Sequence, residues 1–292
     1  MNSVDSAVPT PPALTARVWV VLFRNEWFKT RKRIAFWITL AFFSFITFMQ
    51  YAERFFDARN DPERSFTLPE VWSRVFESES VITIIFASIA LIMVASSEFS
   101  WRTARQNVID GLSKTQWYWG KTFLIPMLGL AFLSLHVAIP AVLGLLGTDS
   151  SSATGPMFPL SVLAATGGTF LGYSAVAALA LFLSLAIRSS GPAMAAWFFW
   201  IGFGEQLGAR LLGQGFPSLR PILRYLPFTN AQAGMSFSDY DAGAFERAVA
   251  AATAAERTPP ELADLSTIML VNIGWVALFL VVGYVWFRRR DL

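Results

Sequence analysis

Cysteine is absent from all 292 residues. Its absence excludes disulfides, thiol nucleophiles, cysteine metal sites and cysteine lipidation. Histidine occurs once, as His136, so it has no second histidine or cysteine with which to build a metal site. Charged residues make up 15% of the chain, well below the ~25% of soluble domains. A complete phosphate-binding loop is missing too. Gly120-Lys121-Thr122 has the tail of G-x-x-x-x-G-K-[ST], but Thr115 stands in the place of its first glycine. The intervening Gln116-Trp117-Tyr118-Trp119 is bulky where glycines must let the backbone approach a phosphate. The chain is therefore not expected to be an enzyme that hydrolyses ATP. No nucleophile–base pair with workable spacing offers another catalytic chemistry, and no internal repeat or coiled-coil heptad is present.

What the chain has is hydrophobic length. Hydrophobic residues are 54% of it, with 27 Phe and 11 Trp, and mean hydropathy is +0.49. Six apolar runs stand out, at 34–50, 81–97, 122–146, 160–187, 192–212 and 267–287. Each approaches the ~20 residues a helix needs to cross the hydrocarbon layer. Backbone groups in lipid must be satisfied internally, and the alternation of a membrane barrel is absent. The expected fold class is an all-α membrane protein with six transmembrane helices and an N-terminal interfacial helix. Residues 1–16, rich in Pro, Ser and Ala, are predicted to be a disordered tail. They lack the apolar core of a signal peptide, and the first run is long enough to be a retained anchor. Residues 17–292 are expected to form one transmembrane domain.

Charge sets the expected orientation. With both termini in the cytoplasm, the inside segments carry 14 basic residues against five acids, and acids outnumber basic residues outside. The expected location is the inner (cytoplasmic) membrane, crossed several times. The outside loops are then 51–80, long and acidic, 147–159, short, and 213–266. In the last, GFPSLRPILRYLPF has two readings: an ordinary loop, or a segment dipping back into the membrane surface. The stretch DAGAFERAVAAATAAER in the same loop reads as helix.

Two cytoplasmic segments carry patterns. In residues 17–33, Trp19, Phe23 and Trp27 recur every four residues, and Arg17, Arg24 and Arg31 every seven. Adjoining aromatic and basic faces suit a helix lying among headgroups, with a plain positive flank as the alternative. The loop EFSWRTARQNVIDGLSKTQWYWGK (98–121) is predicted to continue the second span as helix to Asp110, with Glu98 and Arg102 paired four residues apart. Gly111 suits a helix C-terminus. Ser113 and Gln116 have the spacing of a capping box, which starts a short helix bearing Trp117, Tyr118 and Trp119. These aromatics fit the membrane interface or the groove of a partner.

Inside the membrane, Gly168-x-x-x-Gly172 and Gly204-x-x-x-Gly208 have the form that lets helices approach closely. They suit packing within one subunit, or a subunit interface or translocation path. Glu205 is the one acid inside a predicted span. It is either an anchor near the outer interface or a gating or substrate-linked group. His136 reads as a packed, hydrogen-bonded side chain or as a ligand or proton relay.

The 98–121 loop resembles that of ATP-binding-cassette (ABC) type-2 transporter permeases. That family tends to have a Glu after the second span, then a basic residue and Thr, a small-x-Ser-basic turn, and Gly-Lys opening the third span. The matching residues are Glu98, Arg102-Thr103, Gly111-Leu112-Ser113-Lys114 and Gly120-Lys121. A basic lying helix before the first span, Leu226-Pro227-Phe228 in the long outside loop and the basic C-terminal end add to the likeness, which covers nearly the whole chain. The 51–80 loop departs from the compact first loop of many members.

The resemblance implies an exporter permease that forms the substrate path and couples to a separate ATPase subunit. Coupling would fall to Glu98, Arg102, Thr103, Arg105, Gly111, Ser113, Lys114, Trp117, Tyr118 and Lys121, with the lying helix docking beside them. It implies ABC ATPase subunits and a second permease copy, or a homologous permease, as partners, membrane lipids around them, and no nucleic acid. No cofactor is expected on this chain; ATP and Mg are expected in the ATPase. A stand-alone polytopic membrane protein, such as a membrane enzyme or assembly factor, is the alternative.

Overall fold

The computed structural model describes residues 16–61, 66–76, 80–101, 103–148, 156–256 and 261–290. The predicted tail up to residue 15, and Arg102, lie outside them. Among the described residues the regular structure is all helical, with no strands. The helices are α1 (Ala16–Arg31), α2 (Ile34–Asn60), α3 (Val71–Val75), α4 (Ser80–Ser100), α5 (Thr103–Ile109), α6 (Lys114–Thr122) and α7 (Leu124–Gly147). They continue as α8 (Leu160–Ile187), α9 (Ser190–Phe199), α10 (Glu205–Gly215), α11 (Arg220–Leu223), α12 (Pro227–Ala233), α13 (Ala242–Ala254) and α14 (Leu265–Arg289).

Among the described residues, five helices are long and apolar enough to cross a membrane: Ile34–Asn60, Val81–Ser100, Lys114–Gly147, Leu160–Ile187 and Leu265–Arg289. The chain is a multi-pass membrane protein. The run expected as an uninterrupted span at 192–212 differs. There α9 passes through a π-helical turn, Trp200–Gly204, into α10. Glycines 202 and 204 lie within that turn, and both weaken a helix interior.

The centre of the bundle is α8. Small residues fill its middle, and Ala175, Val176, Ala177, Ala178 and Ala180 are buried on every side. A helix that is apolar all round belongs inside, with neighbours on each face. α4, α7, α9, α12 and α14 pack around it.

A second apolar cluster sits at the end of the bundle away from α1 and α6. α2 does not stop near residue 50 but runs to Asn60, because Tyr51, Ala52 and Phe55 keep one of its faces inward. Phe66, Leu68 and all of Val71, Trp72, Val75 and Phe76 are buried against Leu143, Ala165 and Phe237. The described residues of the acidic 51–80 segment therefore share an apolar core with α7, α8 and the chain around Phe237. Trp72 donates its indole N–H to Met157 O at 2.7 Å, tying this segment to the chain before α8. Residues 242–254 form the helix expected in the last long connection, with Asp241 capping it through Ala244 N at 2.9 Å.

Candidate functional site

At the opposite end, three helices meet on one buried lysine. α1 presents Leu22, Glu26 and Thr30 inward, at a spacing of four residues. Leu22 packs over Gly120 of α6, where a Cβ would still be in ordinary contact at 3.7 Å. The last turn of α4 brings in Glu98, and α6 supplies Lys121. Lys121 Nζ donates to Glu26 Oε2 at 2.6 Å and to Glu98 Oε1 at 2.6 Å. Lys29 Nζ lies 3.3 Å from Glu98 Oε1 and 3.5 Å from Glu26 Oε1, and Arg33 Nη2 lies 3.7 Å from Glu98 Oε1. Trp117 Nε1 donates to the other Glu98 oxygen at 3.2 Å, and the Lys121 ammonium sits 5.2 Å over the Trp117 ring.

Burial decides how this cluster behaves. Lys121 is 0% exposed, Glu98 1% and Glu26 5%. Charges so far from water are held only if each has a partner, because desolvation costs several kcal/mol per ion. Two carboxylates share three cations here. The network joins α1, α4 and α6 into a unit that no one helix can leave without stranding a charge.

α6 is fixed by local signals as well. Gly111 adopts φ 106°, a left-handed conformation that favours glycine. Gly111 N donates to Val108 O and Leu112 N to Asn107 O, which closes α5 with a Schellman turn. Ser113 Oγ then accepts from Gln116 N at 3.1 Å, while Gln116 Oε1 accepts from Ser113 N at 3.0 Å. That is the capping box expected from sequence. Beyond it, Trp117 stacks on Phe287 of α14, with centroids 4.9 Å apart and planes at 15°. Tyr118 donates its hydroxyl to Leu280 O at 2.6 Å, Thr115 meets Tyr284 at 2.9 Å, and Lys114 Nζ reaches Arg290 O. Arg290 in turn donates to Ala186 O, at the end of α8.

The α5–α6 hairpin thus has a buried base and an open tip. Arg105, Gln106, Ile109, Asp110 and Gly111 are exposed, and Ile109 is 67% so. The base is joined to α1 and α4 through Lys121 and to α14 through Trp117 and Tyr118.

Several expected positions change in this light. Trp117 and Tyr118 do not face a membrane interface or a partner's groove; both are buried in the chain's own interior against α14. The second span does not run unbroken to Asp110. α4 ends at Ser100, Trp101 is a turn, and α5 begins at Thr103, whose hydroxyl donates to Glu98 O at 3.2 Å. The Glu98 carboxylate instead finds Lys121, Lys29 and Arg33; its expected partner Arg102 lies outside the described residues. In α1, Trp19 and Phe23 pack edge-on against Phe123. Arg24, Trp27 and Arg31 are exposed, as an interfacial helix requires.

Glu205 and His136, the two polar residues singled out within expected spans, both make hydrogen bonds inside the chain. Glu205 Oε1 accepts from Thr229 N at 2.5 Å, and Oε2 accepts from Phe228 N at 3.1 Å and Trp200 Nε1 at 3.0 Å. This carboxylate ties the start of α12 to α10. His136 is buried with Nε2 2.9 Å from Val75 O, so it ties α7 to α3. Among the described residues no group of three or more His, Asp or Glu is placed to hold a metal. The two glycine pairs part company. A Cβ on Gly168 would strike the Tyr240 hydroxyl, and one on Gly172 would lie 2.9 Å from Ala231 O, so this pair packs within the chain. Gly204 has its own helix's Phe199 O at 3.4 Å, and around Gly208 there is open space.

Sequence reasoning missed Glu26, Lys29, Arg33, Phe287 and Tyr284. One signal existed for the first: Glu26 is the only acid in a basic helix, four residues after Leu22. No local pattern points from Phe287 to Trp117, since about 170 positions of chain separate them.

Residues 37–292 match the family described as Protein of unknown function (DUF2705). No curated protein matches the chain.

Proposed function

We propose that this chain, which belongs to the DUF2705 family, is the transmembrane permease subunit of an ABC exporter. In this reading the chain forms the substrate path, and a separate ATPase subunit binds ATP and Mg. α9, the π-helical turn and α10 complete a sixth crossing, with both termini in the cytoplasm of a cell whose inner membrane it spans. Two permease copies, or one copy and a homologous permease, work with two ATPase subunits.

One observation carries the reading: the α5–α6 hairpin offers an exposed tip while its base is locked to α1, α4 and α14. Such a part transmits force. The ATPase seats on the tip around Arg105, Ile109 and Gly111, and its closure moves α6. Lys121 carries that movement to α1 and α4, and the Trp117–Phe287 stack carries it to α14. Small interfacial shifts become helix movements because packed cores are bistable rather than continuously deformable.

The test is purification of the tagged full chain from native membranes, with ATP hydrolysis and mass spectrometry as readouts. The reading expects a P-loop ATPase in the complex, and expects Ile109→Asp to remove both that subunit and the hydrolysis while the chain still inserts. A chain that brings down no ATPase, with function intact in Ile109→Asp, is a stand-alone membrane protein instead.

A further inference from the structure

Beside the buried lysine network lies an open cavity of about 720 Å³, lined from α1, the first residues of α2, the last turns of α4, and α5. Its mouth is cationic. Lys29, Lys32 and Arg33 line it, and Glu98 is the one acid among its walls. Glu98 Oε1 is already taken by Lys121 at 2.6 Å, with Lys29 and Arg33 crowding the same oxygen. Lys32 has no carboxylate partner among the described residues; its ammonium rests 5.7 Å over the Phe28 ring. The Arg33 guanidinium similarly rests 5.9 Å from the Trp101 ring. Asn107 also lines the cavity, and its Nδ2 is closed off from solvent without a hydrogen-bond acceptor. A buried donor left without an acceptor costs free energy that an anionic oxygen would recover.

Its other walls are largely apolar and include Ile34, Ala35, Met93 and Trp101. Ile34 is the first residue of one candidate span and Glu98 lies in the last turn of the next. The cavity therefore lies at the ends of two candidate spans, the level where headgroups meet hydrocarbon. A basic mouth over an apolar shaft at that depth matches one amphiphile. Basic pockets between membrane helices take anionic headgroups, and the volume lies within the ~300–1,000 Å³ of small-molecule sites. We propose that this cavity binds an anionic phospholipid, its phosphodiester held by Lys29, Lys32 and Arg33 and the start of its acyl chains by Ile34 and Met93. A zwitterionic lipid brings a quaternary amine against the same cations and fits less well. The inference stands apart from the transporter reading, since it needs no partner subunit.

The experiment is native mass spectrometry of the full chain in neutral detergent, titrated with phosphatidylglycerol or with phosphatidylcholine of the same acyl chains. Wild type is expected to retain one phosphatidylglycerol in preference to phosphatidylcholine. Lys32→Gln should weaken that retention about fivefold, the effect of one headgroup-level cation. Met93→Trp, which fills the shaft, should abolish it. Arg24→Gln removes an exposed cation of the same helix outside the cavity and should leave retention within about twofold. Equal retention of both lipids overturns the proposal, and so does equal weakening by Lys32→Gln and Arg24→Gln, which would mean diffuse attraction to a basic helix. Displacement of the lipid by millimolar inorganic phosphate would make this a phosphate site and overturn the lipid assignment. A second readout needs no variant: amine-reactive labelling of Lys32 in wild type should be several-fold slower in phosphatidylglycerol vesicles than in phosphatidylcholine vesicles. Equal labelling, or shielding only when a protein partner is added, also overturns it.

Discussion

Lys121 Nζ stands 2.6 Å from Glu98 Oε1 and 2.6 Å from Glu26 Oε2, so one ammonium separates two carboxylates from different helices. Removing it leaves two buried acids with only the part-exposed Lys29 and Arg33 to balance them. Lys121→Met should therefore destabilise the protein by about 3–5 kcal/mol, the cost of breaking a buried pair from one side. The variant that also carries Glu26→Gln and Glu98→Gln has no buried acid left, only the part-exposed Lys29 and Arg33 without their carboxylates, and should recover part of that loss. Thermal unfolding in detergent of the single and triple variants measures both. A triple variant no better than Lys121→Met would show that packing, not charge pairing, holds the three helices.

The turn before α6 gives a cleaner backbone test. Gly111 has φ 106° and nothing within 4 Å of where a Cβ would stand, so only conformation opposes a side chain there. Gly111→Ala should cost about 1–2 kcal/mol, read as earlier thermal unfolding and as faster proteolysis at Arg105. Gly191→Ala, also in open space but without a positive φ, is the control and should change neither.

Glu205 accepts three hydrogen bonds, two from the backbone of α12 and one from Trp200. Glu205→Gln keeps its size but turns an amide NH2 toward one of those donors. It should cost about 1–3 kcal/mol, the penalty of an unsatisfied buried group. Trypsin cleavage after the neighbouring Arg224 should quicken as α12 loosens. Unchanged stability with altered transport would instead give this carboxylate a gating role.

The long helices were legible because their apolar length leaves few alternatives in lipid, and the α5–α6 turn because glycine and a capping box act locally. The interruption at Trp200–Gly204 was less legible. Composition at 192–212 is that of a span, and the π-helical turn arises where Glu205 is drawn to α12, a contact made with residues 23 and 24 positions later. The site was half legible for the same reason. Lys121 was visible as a conspicuous charge beside aromatic residues, but its partner Glu26 lies 95 positions away. The direction in which Trp117 points depends on α14, at the far end of the chain.

Asp264 gives a pH prediction at the start of α14. Hydrogen bonds from the Thr267 hydroxyl, the Ser266 hydroxyl and the Thr267 backbone hold its carboxyl at about 2. A depressed carboxylate stabilises the folded state fully above the ordinary Asp value of ~3.9, and that contribution is lost as pH falls through the folded value. The difference in unfolding temperature between wild type and Asp264→Ala should be constant from pH 7 to 5 and shrink between pH 4 and 2. A difference that vanishes already at pH 5 would mean the cap does not form.

The two glycine pairs separate packing within the chain from association between chains. A Cβ on Gly168 meets the Tyr240 hydroxyl, which itself donates to Gly234 O at 2.8 Å. Gly168→Ala should therefore cost about 1–3 kcal/mol by overpacking. Adding Tyr240→Phe removes the nearest atom and should return part of that loss, while the ring carbon behind it prevents full recovery. Gly208 has no neighbour to strike, so Gly208→Ala should leave the unfolding temperature of the monomer unchanged. If this face meets a second copy, the bulkier Gly208→Leu should weaken self-association, measured by single-molecule photobleaching in vesicles, with monomer stability intact. Unaltered association in Gly208→Leu would remove α10 from any dimer interface and leave close helix approach as a property of α8 alone.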